Sequence, residues 1–177
     1  MSQLRMLGSS DADTFVAHLH RYMPGSGANG APRFHPYETL DAWSPDPADF
    51  RSSWALPPGE DGWSRSWGVF DAPHSIVGHV DVKADFASMA THRCWLGIGL
   101  EPAWTARGWG RRLLDAACGW AKASGFSWVD LGVFAENAAA YRLYTRYGFE
   151  TIGLTRDRFR LQGEPVDDYH MAFDLHR

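Results

Sequence analysis

The C-terminal half of the chain has a rhythm that few folds accommodate. Arg93–Leu100 (RCWLGIGL) is apolar and reads as a strand. Residues 110–124 place Leu113, Leu114, Ala117, Trp120 and Ala121 on one helical face, and Gly125 ends that helix. Residues 126–133 predict the next strand. Strand, helix and strand in succession imply a parallel pair joined by a right-handed crossover. Asn137 then caps a helix with the stripe Ala140, Leu143, Tyr144 and Tyr147, which Gly148 stops. Two more strands are expected at about 149–155 and 166–174.

The N-terminal half is less regular. Residues 3–8 predict a short strand, and Ser9, Ser10 and Asp11 supply cap chemistry for a helix over 11–22 carrying Phe15, Val16, Leu19 and Tyr22. Residues 24–36 are too rich in Gly, Pro and Ala for either regular element. A second helical stretch is expected over 37–44, ended by Pro45 and Pro47, with a turn near 47–55. Strands at 67–70 and 75–83 flank a turn at 71–74. These hairpins make the sheet mixed, so the class is α/β (α+β). At 177 residues the expectation is a single domain, 1–177, able to bury its own core.

Several function classes are excluded on composition. Residues 1–90 carry 6 Lys+Arg and 11 Asp+Glu, and residues 91–177 carry 11 and 10. That balance argues against nucleic acid as a partner. No apolar run approaches the length of a membrane-spanning helix. The first residues lack a basic-then-apolar signal pattern, and Cys94 and Cys118 are too few for a disulfide framework, so a cytoplasmic location is expected. The eight His show no metal-ligand spacing, so no metal is expected.

Chemistry concentrates in 96–110, LGIGLEPAWTARGWG. Gly97 and Gly99 interrupt an apolar strand, which predicts a bulge or a close backbone approach. A bulge would splay the strand from its parallel neighbour and release backbone groups. Gly108 and Gly110 open the helix, whose first N–H groups and dipole favour an anion, and Arg107, Arg111 and Arg112 add charge. The pattern suits a phosphate or pyrophosphate; a tight turn with surface arginines is the plainer alternative. No Gly-Lys-Ser/Thr follows, so it is not a Walker loop, and Gly-Trp-Gly lacks the third spaced glycine of a dinucleotide fingerprint.

With Asn137–Phe149 (NAAAYRLYTRYGF), the sequence resembles the GNAT superfamily of N-acetyltransferases. The family's Q/R-x-x-G-x-G/A corresponds to Thr105, Ala106, Arg107, Gly108, Trp109 and Gly110, followed by Leu113 and Leu114. Its N-x-x-A-x-x-L-Y-x-x-x-G-F is matched at Asn137, Ala140, Leu143, Tyr144, Gly148 and Phe149. Thr105 stands where Gln or Arg is usual, which removes one side-chain anchor. The resemblance covers about 75–175 by motif and 1–75 by element order. It implies a mixed central sheet of about six to seven strands with a splayed parallel pair, flanked by about four helices. It divides the domain into acceptor-side elements at about 1–74, an acetyl-CoA core at about 75–155 and C-terminal strands at about 149–175.

The resemblance further implies acetyl-CoA as acetyl donor. The cofactor would be held by Thr105, Ala106, Arg107, Gly108, Trp109, Gly110 and Arg111, with its pyrophosphate on the loop Arg107–Arg111, by backbone at Ile98, Gly99 and Leu100 along its pantetheine, and by Asn137 and Arg142. Tyr144 would be the acid that protonates the leaving thiolate. The strand Glu that some members use as base corresponds to Gly132, so the base must come from elsewhere: Asp81 and His79 share one strand face, and His92 precedes the next strand. A water chain would also serve. Dimers are frequent in the family, so a homodimer is a family expectation.

The acceptor should lie over residues 20–70 and the last hairpin; within 20–70, Trp43, Trp54, Trp63, Trp67 and other aromatics, Phe34 among them, are interleaved with acidic residues. Aromatic faces with carboxylates attract a cationic amine. Trp43, Trp54 and Trp67 are therefore expected at the acceptor, and a small cationic primary amine is the expected substrate. Protein N-terminal or lysine acetylation is one alternative, and a non-catalytic CoA-binding module is another.

Overall fold

The computed structural model describes residues 2–37, 44–87 and 89–177. The strands are β1 (Gln3–Met6), β2 (Ser64–Ala72), β3 (Ser75–Ala84), β4 (Arg93–Leu100), β5 (Trp128–Phe134), β6 (Glu150–Leu161) and β7 (Glu164–Asp174). They form one seven-stranded sheet in the order β1-β2-β3-β4-β5-β7-β6. Among the described residues only the β4–β5 pair is parallel. Four helices flank the sheet: α1 (Ala12–Tyr22), α2 (Pro47–Ala55), α3 (Trp109–Ala123) and α4 (Ala138–Tyr147). Fold class and the splayed parallel pair are as expected.

Each face of the sheet follows from period-two alternation. Val80, Val82, Cys94, Leu96 and Val129 point to one side, where α3 buries Leu113, Leu114, Ala117 and Ala121 against them. At about 25 cal/mol per Å² of buried apolar surface, stripes like this supply most of the driving force. The helix ends are set by their caps. Gly108 adopts φ +81° at the start of α3, and Gly148 adopts φ +123° after α4. Asn137 Oδ1 accepts from the Ala140 N–H at 3.2 Å. On the other face α1 and α2 form a smaller core from Phe15, Leu19, Trp54 and Ile76.

The parallel ladder is short. Arg93, Cys94 and Trp95 pair with Trp128, Val129 and Asp130, and pairing stops there. Beyond it the strands part. Buried Asp130 accepts two hydrogen bonds from Arg93, at 2.7 and 2.6 Å, and is 2.9 Å from His170 Nε2, which ties β4, β5 and β7 together at the fork.

Three expectations change. Residues 47–55 form a true helix, α2, capped by Asp46 Oδ1 accepting from the Ala48 N–H at 2.7 Å; Pro47 stands at its first position and starts it rather than ending something before it. Of the helix expected over 37–44, residues 38–43 lie outside the described residues. The third concerns Gly97 and Gly99. β4 keeps one register with β3 from Gly78–Leu100 to Ala84–Cys94, without a bulge. Register shifts fall instead in the β2–β3 hairpin, around Phe70, and in the β6–β7 pair, at Thr151–Gly153 and Thr155–Phe159. The two glycines serve close approach. A Cβ at Gly99 would lie 2.5 Å from Tyr22 Cζ and 2.6 Å from His79 Cε1, and one at Gly97 would lie 2.9 Å from Asp81 Oδ1.

Candidate active site

Where β4 and β5 separate, a cleft of about 440 Å³ opens. Backbone direction along β4 can be read from its flanks. The Glu101 N–H donates to Val77 O on β3, and His92 O accepts from the Ser127 N–H on the β5 side. Alternation then aims the even-numbered residues at β5. With β5 withdrawn, the N–H and C=O groups of Ile98 and Leu100 face the cleft, which both residues line. Gly99, Thr105, Gly110, Asn137 and Tyr144 line it as well.

One end of this cleft meets the turn before α3. Ala106 and Gly108 both have positive φ, +57° and +81°, and a Cβ on Gly108 would touch nothing. The backbone is thus open to a ligand at the point where α3 presents its first N–H groups. Arg107 and Arg111 are exposed beside it, over the Trp104 and Tyr147 rings at 5.3 and 5.7 Å. The Trp109 side chain is buried in the main core, so this residue offers the turn its backbone only. Thr105 Oγ1 donates to Pro102 O at 2.8 Å and stays within the turn.

Tyr144 comes from the inward face of α4, fixed by the stripe it shares with Ala140. It is buried, and desolvation pushes its hydroxyl well above the usual phenol range. That hydroxyl has no hydrogen-bond partner among the described residues. Asn137 is both a cap and a cleft residue: its Nδ2 donates to Arg33 O at 3.4 Å. Arg33 Nη1 is buried without a partner, the kind of orphan that a bound polar ligand satisfies.

A second cavity, about 610 Å³, lies on the α1–α2 face. Its floor is Ser64 and Ser66 of β2, His79, Asp81 and Lys83 of β3, and Gly97 of β4. Its walls include Tyr22, Phe34, Phe50 and Trp63. The Asp81 carboxylate makes no hydrogen bond among the described residues. Burial pushes it up from the ordinary carboxylate range, partly offset by Lys83. The two cavities share Tyr22, Phe34, Gly97 and Ile98. They therefore adjoin at β4, where Gly97 contributes no side chain of its own.

The expected site residues divide accordingly. Ile98, Gly99, Leu100, Thr105, Gly110, Asn137 and Tyr144 are brought to the first cleft, with Ala106, Arg107, Gly108, Trp109 and Arg111 forming the adjoining turn and helix start. Asp81 lines the second cavity. Arg142 is exposed on α4 and lines neither. His92 is exposed at the far end of β4 from the fork's opening and also lines neither. Strand direction is the reason, since His92 directly precedes β4, whose other end carries the site.

Trp54 and Trp67 turn away from the cavity. Trp54 sits in the α1–α2 core and donates from Nε1 to Ser66 Oγ at 3.0 Å. Trp67 follows Ser66 on β2, so alternation sends it to the α3 face, 5.8 Å from Trp120. Trp43 lies outside the described residues. Trp63 supplies the tryptophan wall. Tyr22, which the acceptor expectation does not single out, and Phe34, one of the aromatics of the 20–70 region, stack 4.4 Å apart at the junction of both cavities. Tyr22 was visible only as part of a helical stripe, and Phe34 only as one aromatic in a broken loop.

Residues 31–149 match the pattern of the Acetyltransferase (GNAT) family. Among characterised relatives, an L-amino acid N-acetyltransferase, AaaT, of Escherichia coli is 30% identical over 101 residues, 55% of this chain and 60% of that protein. The N-alpha-acetyltransferase RimI of Mycobacterium tuberculosis is 40% identical over 77 residues, 44% of this chain and 46% of that protein. The chain thus spans about half the length of these relatives. The structure of yncA, a putative acetyltransferase from Salmonella typhimurium with its cofactor acetyl-CoA, superposes with a TM-score of 0.78 at 16% identity, covering 98% of this chain and 94% of that one.

Proposed function

Because the chain belongs to the GNAT family of acetyltransferases, we propose that it moves an acetyl group from acetyl-CoA to a primary amine held in the second cavity. The observation that carries this is the meeting of two cavities across β4 at Gly97 and Ile98. One is suited to a thioester arm and the other to an amine, and they share Gly97, which adds no side chain of its own between them.

The donor cleft fits acetyl-CoA. Ile98 and Leu100 offer an unpaired backbone edge to an amide-bearing arm. The open turn at Ala106–Gly108, the start of α3 and the exposed Arg107 and Arg111 suit a pyrophosphate. Acetyl-CoA would supply the activated acetyl thioester. Ile98 and Leu100 N–H groups can also stabilise negative charge that develops on its carbonyl oxygen. Tyr144 holds its proton firmly and can donate it from Oη to the departing sulfur.

Asp81 is the acceptor-side residue of this proposal. A half-buried carboxylate without a hydrogen-bond partner attracts an ammonium. Its raised proton affinity then allows the ion pair to become a neutral pair, freeing the nitrogen lone pair for attack. The cavity's size and aromatic walls favour a small cationic amine. The names of the two relatives, one acting on L-amino acids and one on α-amino termini, support an α-amine within that class. Acceptor walls come from the 1–74 part of the chain together with β3, and the donor cleft also borrows Tyr22 and Phe34 from that part.

The test is CoA release with acetyl-CoA and a panel of free amino acids, other small amines and peptides. Turnover with the small amines is expected. Turnover only with peptide N-termini would move the assignment to protein acetylation. Acetyl-CoA binding without any turnover would make the chain a binding module.

A further inference from the structure

A chain of three side chains leads from the acceptor cavity to the outside of the protein. His79 of β3 lines the cavity, and its Nδ1 is 2.9 Å from His18 Nε2 on α1. His18 Nδ1 is in turn 2.9 Å from Glu101 Oε1, just past β4. His18 is fully buried and His79 nearly so, while the Glu101 side chain is 22% exposed. Arg21 Nη2 lies 3.1 Å from the same Glu101 oxygen and donates to Ile76 O at 2.7 Å, which holds the carboxylate in place.

The outer end of this chain decides the protons of the inner end. An ionised carboxylate only accepts, so the proton between His18 and Glu101 must be on His18 Nδ1. Burial holds His18 down to about 4 and keeps His79 well below its usual range, so each ring is neutral and has one N–H. With Nδ1 protonated, His18 Nε2 is bare and accepts. His79 must then donate from its own Nδ1, which leaves His79 Nε2 bare. That nitrogen has no hydrogen-bond partner among the described residues. Tyr22 from α1 stands over the ring, Asp81 follows on the same face of β3, and β4 contributes Gly99, where even a Cβ would collide with His79 Cε1.

We propose that Glu101, acting through His18, fixes His79 with a bare Nε2 toward the acceptor cavity, where it takes a proton from the acceptor nitrogen. This rests on the acetyl-transfer reading above and assigns a second proton acceptor to it. An ammonium must lose two N–H bonds to become an amide. Asp81 accepts the first proton before attack. The second leaves once the nitrogen is bonded to the acetyl carbon, when its N–H is far more acidic than in the free ammonium, and a weak base suffices. The N–H bond breaks, the His79 Nε2–H bond forms, and the pair of electrons stays on nitrogen. The imidazolium is stabilised through His18 by the Glu101 carboxylate, and its proton passes to water when product leaves. His79 is the catalytic residue in this account, and His18 and Glu101 are positioning residues.

The experiment pairs nitrogen NMR of the imidazole rings, on the protein alone at pH 7.5, with steady-state kinetics. His79 and His18 are both expected to show a protonated Nδ1 and a bare Nε2. Glu101→Ala is expected to release His79 to the Nε2–H form and to lower kcat about tenfold. His79→Gln, which can still hydrogen-bond His18, is expected to lower kcat about 10²-fold with KM for the amine changed less than threefold. A proton on His79 Nε2 in the wild-type protein, or a fully active His79→Gln, overturns the inference and leaves acetyl transfer standing. Absence of turnover in the wild type with every amine overturns the acetyl-transfer reading itself, and this role of His79 with it.

Discussion

Asp81 and Gly97 face each other across β3 and β4, and the carboxylate of one occupies the space that a side chain on the other would need. A Cβ at position 97 would stand 2.9 Å from Asp81 Oδ1. Gly99 repeats the relationship two residues on, with Tyr22 and His79 as the occupants. The glycines of this strand therefore let polar and aromatic side chains close over the backbone where the two cavities meet.

Gly99→Ala follows directly from that geometry. Its Cβ meets two packed rings, Tyr22 and His79, neither of which is a flexible chain end. Overpacking of this kind costs about 1–3 kcal/mol. A lowered melting temperature together with loss of most turnover is expected. An unchanged melting curve would show that Tyr22 can move aside freely.

Asp81→Asn separates function from stability. The folded state raises this carboxyl's proton affinity, so ionisation at neutral pH works against folding. Removing the charge is expected to raise the melting temperature at pH 7 while raising KM for a cationic amine at least tenfold. Stabilisation with loss of function is the usual sign of a strained site. A destabilised variant with normal KM would remove Asp81 from the acceptor site.

Tyr144→Phe takes away a hydroxyl that has no hydrogen-bond partner among the described residues. Stability should therefore change little. Loss of an acid group is expected to lower kcat about 10²-fold, with KM for acetyl-CoA nearly constant. Retained kcat would assign the proton to another donor, and Tyr22 at the cavity junction is the next to test.

Stability should also fall as the solution is acidified through the histidine range. His18 titrates at about 6.5 when unfolded and about 4 when folded, and His79 shifts the same way. Burial makes the charged forms unfavourable, so below pH 6.5 the unfolded chain binds more protons and gains. The loss runs from about pH 6.5 down to 4, and a shift of this size corresponds to about 3 kcal/mol for His18. Asp81 acts in the opposite sense nearer its own range, since its protonation relieves a buried charge. Urea unfolding at pH 7.5, 5.5 and 4.5 measures the slope, which should flatten in His18→Phe. An equal slope in that variant would place the acid sensitivity elsewhere.

Much of the donor side is legible in the sequence. Helix α3 announces itself by its apolar stripe, its glycine start and the glycine after it, all local signals. Asn137 caps α4 because its own side chain reaches the Ala140 N–H three residues on. The acceptor side could not be read in this way. Trp54 and Trp67 drew attention as aromatics amid acids, yet strand alternation and helix packing turned both into core. Gly97 and Gly99 were visible as irregular, but not whether they mark a bulge or a contact.

The sequence by itself determined the order of elements, the parallel pair and the turn that starts α3, because those depend on neighbours along the chain. Tertiary structure alone decided which polar groups act together. His18 meets Glu101 across 83 positions and His79 across 61. No periodicity or spacing encodes such a meeting. It exists because α1 lies across β3, and because two glycines on β4 leave room for it to come close.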